Sequence, residues 1–271
     1  MLRVAIQGER GSYSEAAALG YFGGVRIVTC ETFEDAFDFA GNGADCAFVP
    51  IENSIEGIVT QVCDLLLRKK LVVFGEGKLR IRHCLIANRG ASIKNIKTVY
   101  SHPQALAQCR KYLERLGVET VPFSDTAKSV MMIKEKGMMD AAGIASAYAA
   151  KLYRMKILRK NLESHEGNTT RFFAVSGDDM QKRKTGAGMK SSIGIVTKNA
   201  PGSLYRALGC LAGNNIDITY LQSRPVHGKP DRTAFYMECE GSTEDRNFKA
   251  ALADLGKHAE SVKKIGSYIG T

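Results

Sequence analysis

Within the first fifty residues the apolar side chains change period repeatedly, and this alternation restricts the fold more than any other feature. Residues 2–7 alternate as a strand, and Ser12-x-x-Glu15 resembles a capping box opening a helix through Phe22. Residues 25–30 read as a second strand. Phe33, Ala36, Phe37 and Ala40 then recur at i, i+3, i+4 and i+7, which predicts a helix. Residues 45–49 read as a third strand, ended by Pro50. Strand, helix, strand, helix, strand in that order implies a mostly parallel sheet covered on both faces.

The pattern restarts after residues 71–73. Residues 79–87 read as one strand and 98–100 as another, and Pro103 sits in the first turn of a helix expected to reach about Leu116. A strand at 119–122, a helix at 126–136 and a strand at 141–145 complete a second α/β lobe. Two lobes suggest a cleft between them, a common ligand site. Residues 178–190 are polar, basic and without periodicity, and are expected to be a linker.

The remaining residues form a unit of their own. A strand at 191–197 is followed by a helical face of Leu204, Ala207, Leu208, Leu211 and Ala212. Ile216, Ile218 and Tyr220 alternate, as do Phe235, Met237 and Cys239. Phe248, Ala251, Leu252 and Leu255 mark a second helix, and 262–269 close with a strand. That is βαββαβ, the ferredoxin-like order.

Composition excludes several classes. The seven cysteines contain no Cys-x-x-Cys pair and the five histidines no ligand spacing, so reduced thiols in a cytoplasmic protein and no metal site are expected. The N-terminus lacks the apolar core of a signal peptide, and no apolar run approaches membrane-spanning length. The net charge of +10 raises nucleic-acid binding. The basic clusters at 68–70 and 182–184 lack interleaved aromatics and any recognition-helix pattern, so a solvated surface and an anionic small substrate are preferred.

Several segments could carry chemistry. Thr170-Arg171-Phe172 joins a hydroxyl, a guanidinium and a ring at the start of an apolar run. In a strand Thr170 and Phe172 share one face while Arg171 takes the other, and the same triplet also suits an ordinary edge strand. Glu52-Asn53-Ser54 lies beyond the third strand, where open α/β sheets collect ligands, although helix capping explains Asn53 and Ser54 equally well. Ser101-His102-Pro103-Gln104 occupies the matching point of the second lobe. Gln108 follows Gln104 at i+4, placing both amides on one side. His102 has no evident partner and is expected to be structural. The glycine turn Gly8-x-x-Gly11 is a poor phosphate loop, yet it offers backbone donors for a carboxylate.

Taken together these segments resemble the prephenate dehydratases over nearly the whole chain. The resemblance rests on Gly8-x-x-Gly11-x-Tyr13-Ser14-x-x-Ala17, Val49-Pro50-Ile51-Glu52-Asn53-Ser54, Ser101-His102-Pro103-Gln104 with Gln108-Cys109, Ala142-x-Ile144-Ala145-Ser146-x-x-Ala149-Ala150-x-x-Tyr153, and Thr170-Arg171-Phe172. It implies a two-lobed catalytic unit over 1–177, like a type II periplasmic binding protein, with lobes of about 1–78 plus 165–177 and 79–164. It also implies an ACT regulatory unit over 191–271. The implied reaction converts prephenate to phenylpyruvate with loss of water and carbon dioxide, needs no cofactor, and has arogenate as the alternative substrate. By resemblance Thr170, Glu52 and Gln108 are the catalytic candidates, and Asn53, Ser54, Ser101, Gln104, Thr169, Arg171 and Phe172 would bind substrate.

The family's effector segments correspond to Ala200, Pro201, Gly202, Ser203 and Leu204, and to Gln222, Ser223, Arg224 and Pro225. Here Ser203 and Tyr205 stand where the family has Ala and Val, and Gln222 replaces a Glu. L-Phenylalanine binding is the expectation, with a purely dimerising module as the alternative. The expected assembly is a homodimer or homotetramer. A non-catalytic two-lobed sensor is the competing reading from another class.

Overall fold

The computed structural model describes residues 1–177, 180, 188–226 and 228–271. The first lobe contains β1 (Arg3–Gln7), α1 (Tyr13–Phe22), β2 (Arg26–Cys30), α2 (Phe33–Phe39), β3 (Cys46–Asn53), β4 (Gly57–Ile58), α3 (Thr60–Arg68) and β5 (Val72–Arg80). The second contains β6 (Cys84–Ala87), β7 (Thr98–Ser101), α4 (Pro103–Gln108), α5 (Arg110–Leu116), β8 (Glu119–Pro122), α6 (Thr126–Glu135), β9 (Ala141–Ala145), α7 (Ala147–Leu152) and β10 (Lys156–Lys160). Strand β11 (Thr169–Ser176) then returns to the first sheet. The last unit is β12 (Met189–Lys198), α8 (Ser203–Ala212), β13 (Ile218–Pro225), β14 (Arg232–Glu240), α9 (Arg246–His258) and β15 (Ser261–Ile269).

The first sheet runs β2-β1-β3-β11-β5, with β4 paired to β3. Strands β1, β2 and β3 are parallel, as the crossover helices require. Strand β11 lies antiparallel between β3 and β5, so the Thr-Arg-Phe strand is interior and not an edge. Strand β3 continues through Pro50 instead of ending there. The register shifts between Arg171 and Phe172, which pair with Glu52 and Pro50. A bulge of this kind tolerates a residue without an N–H.

The second sheet runs β10-β6-β9-β7-β8. The single strand expected over 79–87 is two, β5 and β6, which belong to different sheets. Residues 81–83 cross between the lobes, and residues 161–168 cross back. The crossings are bonded to each other, Ile81 N–H to Asn168 O at 2.8 Å and Leu162 N–H to His83 O at 3.1 Å. The helix expected over 103–116 is also broken, at Cys109, where the backbone leaves helical values (φ −102°, ψ 7°) and Gln108 becomes the last residue of α4. Helix α7 and strand β10 were not read from the sequence. Each is short, six and five residues, too few to show a clear period.

The third sheet, β13-β14-β12-β15, confirms the ferredoxin-like βαββαβ topology. The linker expected over 178–190 falls largely outside the described residues, and Met189 and Lys190 already belong to β12. The unit is fused to the first lobe. Tyr236, Ile265 and Tyr268 share a core with Val73, Phe173 and Val175, and the rings of Phe173 and Tyr268 lie 5.1 Å apart. At Gly266 a side chain is impossible, since a Cβ would stand 2.0 Å from Val73 O.

Candidate active site

A cavity of about 420 Å³ opens between the lobes, and Thr170, Phe172, Asn53, Gln104 and Gln108 all line it. Strand alternation explains the first two: Thr170 and Phe172 share the cavity face of β11. Phe172 is stacked on Phe48 at 5.2 Å, which leaves it a wall. Asn53 pairs with Thr170 across the β3–β11 ladder and donates from Nδ2 to Thr170 Oγ1 at 3.0 Å. The same Nδ2 reaches Asn168 Oδ1 at 2.7 Å. Asn168 Nδ2 in turn donates to Gln108 Oε1 at 3.0 Å.

His83 lies on the first crossing and is almost wholly buried. Its Nε2 stands 2.8 Å from Gln108 Oε1 and its Nδ1 2.8 Å from the Tyr13 hydroxyl. Burial lowers its pKa below the ordinary 6.5, while the Gln108 contact and the nearby Glu163 carboxylate act the other way. Tyr13, Ser14, His83, Asn168 and Glu56 all line the cavity and were not among the expected site residues. Asn168 sits one residue before the strand that drew attention. His83 was concealed because its segment reads as continuous strand. His102 caps α4 by accepting from Gln104 N–H at 3.3 Å, the structural role expected of it, and it also reaches the cavity wall.

Five of the expected substrate or catalytic residues face elsewhere. Arg171 points to the opposite side of β11, where its guanidinium is consumed by carboxylates. Nη1 and Nη2 reach Glu238 of β14 at 2.6 and 2.7 Å, Nη1 reaches Glu76 at 2.8 Å, and Nε reaches Glu52 at 3.0 Å. Burial opposes its charge, but Glu238 and Glu76 raise its pKa overall. Glu52 is therefore an ion-pair partner and not a proton donor in the cavity. Ser54 Oγ accepts Thr169 N–H at 3.0 Å and closes the ladder end. The Thr169 hydroxyl turns back to Gly167 O at 3.1 Å. Ser101, fully buried, donates to Ile144 O at 2.7 Å, joining two strands of its sheet.

The glycine turn offers less than expected. Gly11 N–H goes to the buried Glu15 carboxylate, which also pairs with Arg10 at 2.7 Å. Gly11 itself must stay a glycine, because its φ is +87° and a Cβ would press on Tyr153 at 3.0 Å. This contact seats the loop against α7 of the other lobe.

A second, larger groove of about 640 Å³ separates α2 and α3 from the last unit. It lacks the chain of amides found between the lobes. Arg224, one of the expected effector residues, pairs across it with Asp64 at 2.6 and 2.7 Å and is half-buried. Its guanidinium is thus committed within the chain, since Asp64 matches its two-pronged geometry. The two effector segments lie at the same end of the third sheet: Pro225 and Thr197 both pair with Thr233, and Ala200–Leu204 follow directly on β12.

Among the described residues no group of His, Cys, Asp and Glu is arranged to hold a metal. No described helix is long and apolar enough to cross a membrane.

Comparison with known proteins places the chain in a family. The family described as "Prephenate dehydratase" matches residues 4–180. "Arogenate dehydratase/prephenate dehydratase 2, chloroplastic" of Arabidopsis thaliana is 38% identical over 98% of this chain and 72% of its own length. A "bifunctional N-acyl-homoserine lactone acylase/prephenate dehydratase" of Komagataeibacter europaeus is 34% identical over 98% of this chain and 95% of its own. The crystal structure of prephenate dehydratase in complex with L-Phe from Arthrobacter aurescens superposes with a TM-score of 0.92 at 27% identity, covering 99% of this chain and 90% of that one. The chain, with its two lobes and ferredoxin-like last unit, belongs to the prephenate dehydratase family.

Proposed function

We propose that the chain is a cofactor-independent lyase that converts prephenate to phenylpyruvate, with residues 1–177 as the catalytic unit and 191–271 as an ACT regulatory unit. One observation carries the reading. Asn53 donates to Thr170 Oγ1, so the single hydroxyl proton of Thr170 remains available to an oxygen in the cavity. In the reaction the bond between ring and carboxylate breaks, its electron pair enters the ring, and the ring hydroxyl departs. That oxygen takes up one proton and leaves as water, with carbon dioxide as the other small product. Aromatisation supplies the driving force. The protein must orient the substrate and stabilise the departing oxygen.

Thr170 is a positioned donor to that oxygen, Gln104 and Gln108 supply further amide donors, and Phe172 forms the wall. The first turns of α1 and α6 also open on the cavity through Tyr13, Ser14 and Thr126, and helix N-termini favour carboxylates. The test is a direct assay of phenylpyruvate formed from prephenate by the purified chain. No product at any enzyme level would sink the reading and favour a two-lobed sensor.

A second substrate reading has its own support. Among the described residues that line the cavity Glu56 is the only carboxylate, and no lysine or arginine joins it. A carboxylate beside the ligand suits the ammonium of arogenate better than the keto group of prephenate. Both substrates belong in the same assay. Glu56→Gln is expected to lower kcat/KM for arogenate by about fivefold to tenfold, with little change for prephenate. Equal effects on both would remove Glu56 from substrate choice.

The regulatory reading is that L-phenylalanine binds the last unit between two copies of the chain. Strand β13 is an edge strand with alternating exposed residues, including Leu221, and Tyr205 of α8 is 80% exposed. Both features support self-association as a homodimer or homotetramer. Adding L-phenylalanine to the assay and to a sedimentation run tests both parts. Seven buried free thiols support a reducing, cytoplasmic compartment.

A further inference from the structure

The hydrogen bonds around Gln108 admit only one polarity. Asn53 Oδ1 accepts two backbone amides, Ile55 N–H at 3.0 Å and Glu56 N–H at 3.1 Å. Its NH2 group must therefore face Thr170 and Asn168, and Asn168 must meet it with Oδ1. Asn168 then presents its own NH2 to Gln108, whose Oε1 receives it. Turning either amide around would set NH2 against NH2. Since Gln108 Oε1 is an acceptor, His83 Nε2 at 2.8 Å has to carry a proton.

The other ring nitrogen makes that state robust. In neutral His83, Nδ1 is an acceptor and takes the Tyr13 hydroxyl proton at 2.8 Å. In the cation, Nδ1–H donates to the Tyr13 oxygen, whose proton can turn to Arg82 O at 3.0 Å. Nε2 keeps its proton in both cases. The groups facing the ring are Tyr13 from α1, Gln108 from α4, and Glu163 of the second crossing, which accepts His83 N–H at 3.0 Å. Cys84 and Cys109 lie near this cluster, and burial raises the pKa of both.

We propose that His83 is a positioning residue: its Nε2–H, with Asn168, pins Gln108 Oε1 and so aims the Gln108 NH2 group into the cavity, where one proton faces Glu56 Oε1 at 3.4 Å and the other is the donor to the substrate. This rests on the lyase reading above. Without His83 only Asn168 holds Gln108 Oε1, so the amide keeps its polarity but loses its fixed aim, and its NH2 group meets the substrate less often in the right place.

The test is a double-mutant cycle in the full-length chain. His83→Asn, whose amide reaches only the Nδ1 position, is expected to lower kcat tenfold to a hundredfold, roughly, with KM moving less. His83→Gln, which can place an N–H where Nε2 stood, should recover most of that rate. In a Gln108→Leu background, His83→Asn should cost nothing further, because His83 acts only through Gln108. Additive losses, or equal losses in the Asn and Gln variants, would overturn the proposal.

Should His83→Asn fail to fold, histidine side-chain ¹⁵N NMR of the unmutated chain decides the matter. One neutral histidine, assigned by its disappearance in His83→Gln, must show the Nε2–H tautomer. The Nδ1–H tautomer would refute the proposal. If the unmutated chain forms no product, the lyase reading fails, while the NMR result still judges the His83–Gln108 geometry.

Discussion

The two faces of β11 follow opposite electrostatic rules although their residues are neighbours in sequence. On the cavity face, Thr170 is held by neutral amides alone. On the other, Arg171 is buried against Glu52, Glu76 and Glu238. The neutral contacts on this face keep the Thr170 proton available, and Glu56 is the charged side chain that shares the cavity with it. The ionic face is complete in itself: Tyr236 donates to Glu238 at 3.0 Å, and Thr271 donates to Glu76 from both its backbone and its hydroxyl. One strand therefore separates the hydroxyl that faces the cavity from the guanidinium that joins the last unit to the sheet.

Three experiments break this comparison. The largest effect is expected at Arg171→Met, which leaves three carboxylates facing one another where at least two are buried. Loss of about 3–5 kcal/mol of unfolding free energy is expected, read from denaturant melts. Arg171→Lys should restore little, since one ammonium cannot reproduce the forked contact with Glu238. An unchanged midpoint for Arg171→Met would show that the cluster does not hold the units together.

Thr170→Ala is the converse case. Turnover should fall by at least about a hundredfold, while the melting midpoint stays near that of the unmodified chain. Thr170→Ser should keep part of the rate because its hydroxyl can occupy the same position. A Thr170→Ala variant with near-normal activity would eliminate the assigned role.

The smallest effect is a pH dependence confined to the ionic face. Burial pushes the Glu76 pKa up, but the Thr271 N–H and Arg171 outweigh it and hold it below the ordinary 4.5. A carboxyl depressed in the folded state contributes stability in full above 4.5 and loses it as pH falls through the lower folded value. Melting midpoints should therefore drop on acidification through that window. The drop should be shallower in Glu76→Gln, and an identical slope in both would exclude Glu76 as its source.

Much of this division was legible in the sequence. Period-two alternation alone sends Thr170 and Arg171 to opposite faces of β11. The identities of the Arg171 partners were not legible, because Glu76 and Glu238 lie 95 and 67 residues away in sequence and meet it only after the third sheet docks. Assigning Arg171 to a substrate carboxylate was reasonable chemistry applied to the wrong side of the strand. Local patterns also failed where the chain changes sheets. His83 sits in a run that looks like uninterrupted strand, and Asn168 precedes a strand without any period of its own. The bulge that carries β3 through Pro50 is set by pairing with β11, which no local pattern encodes.

The two crossings between the lobes carry a consequence for turnover. His83 lies on one and Asn168 on the other, and both hold Gln108. Any movement of the lobes that carries Gln108 away from the crossings would stretch bonds that shape the donor array. A substitution that loosens either crossing should speed release and slow the chemical step together. Selection acting on one of those rates would unavoidably act on the other.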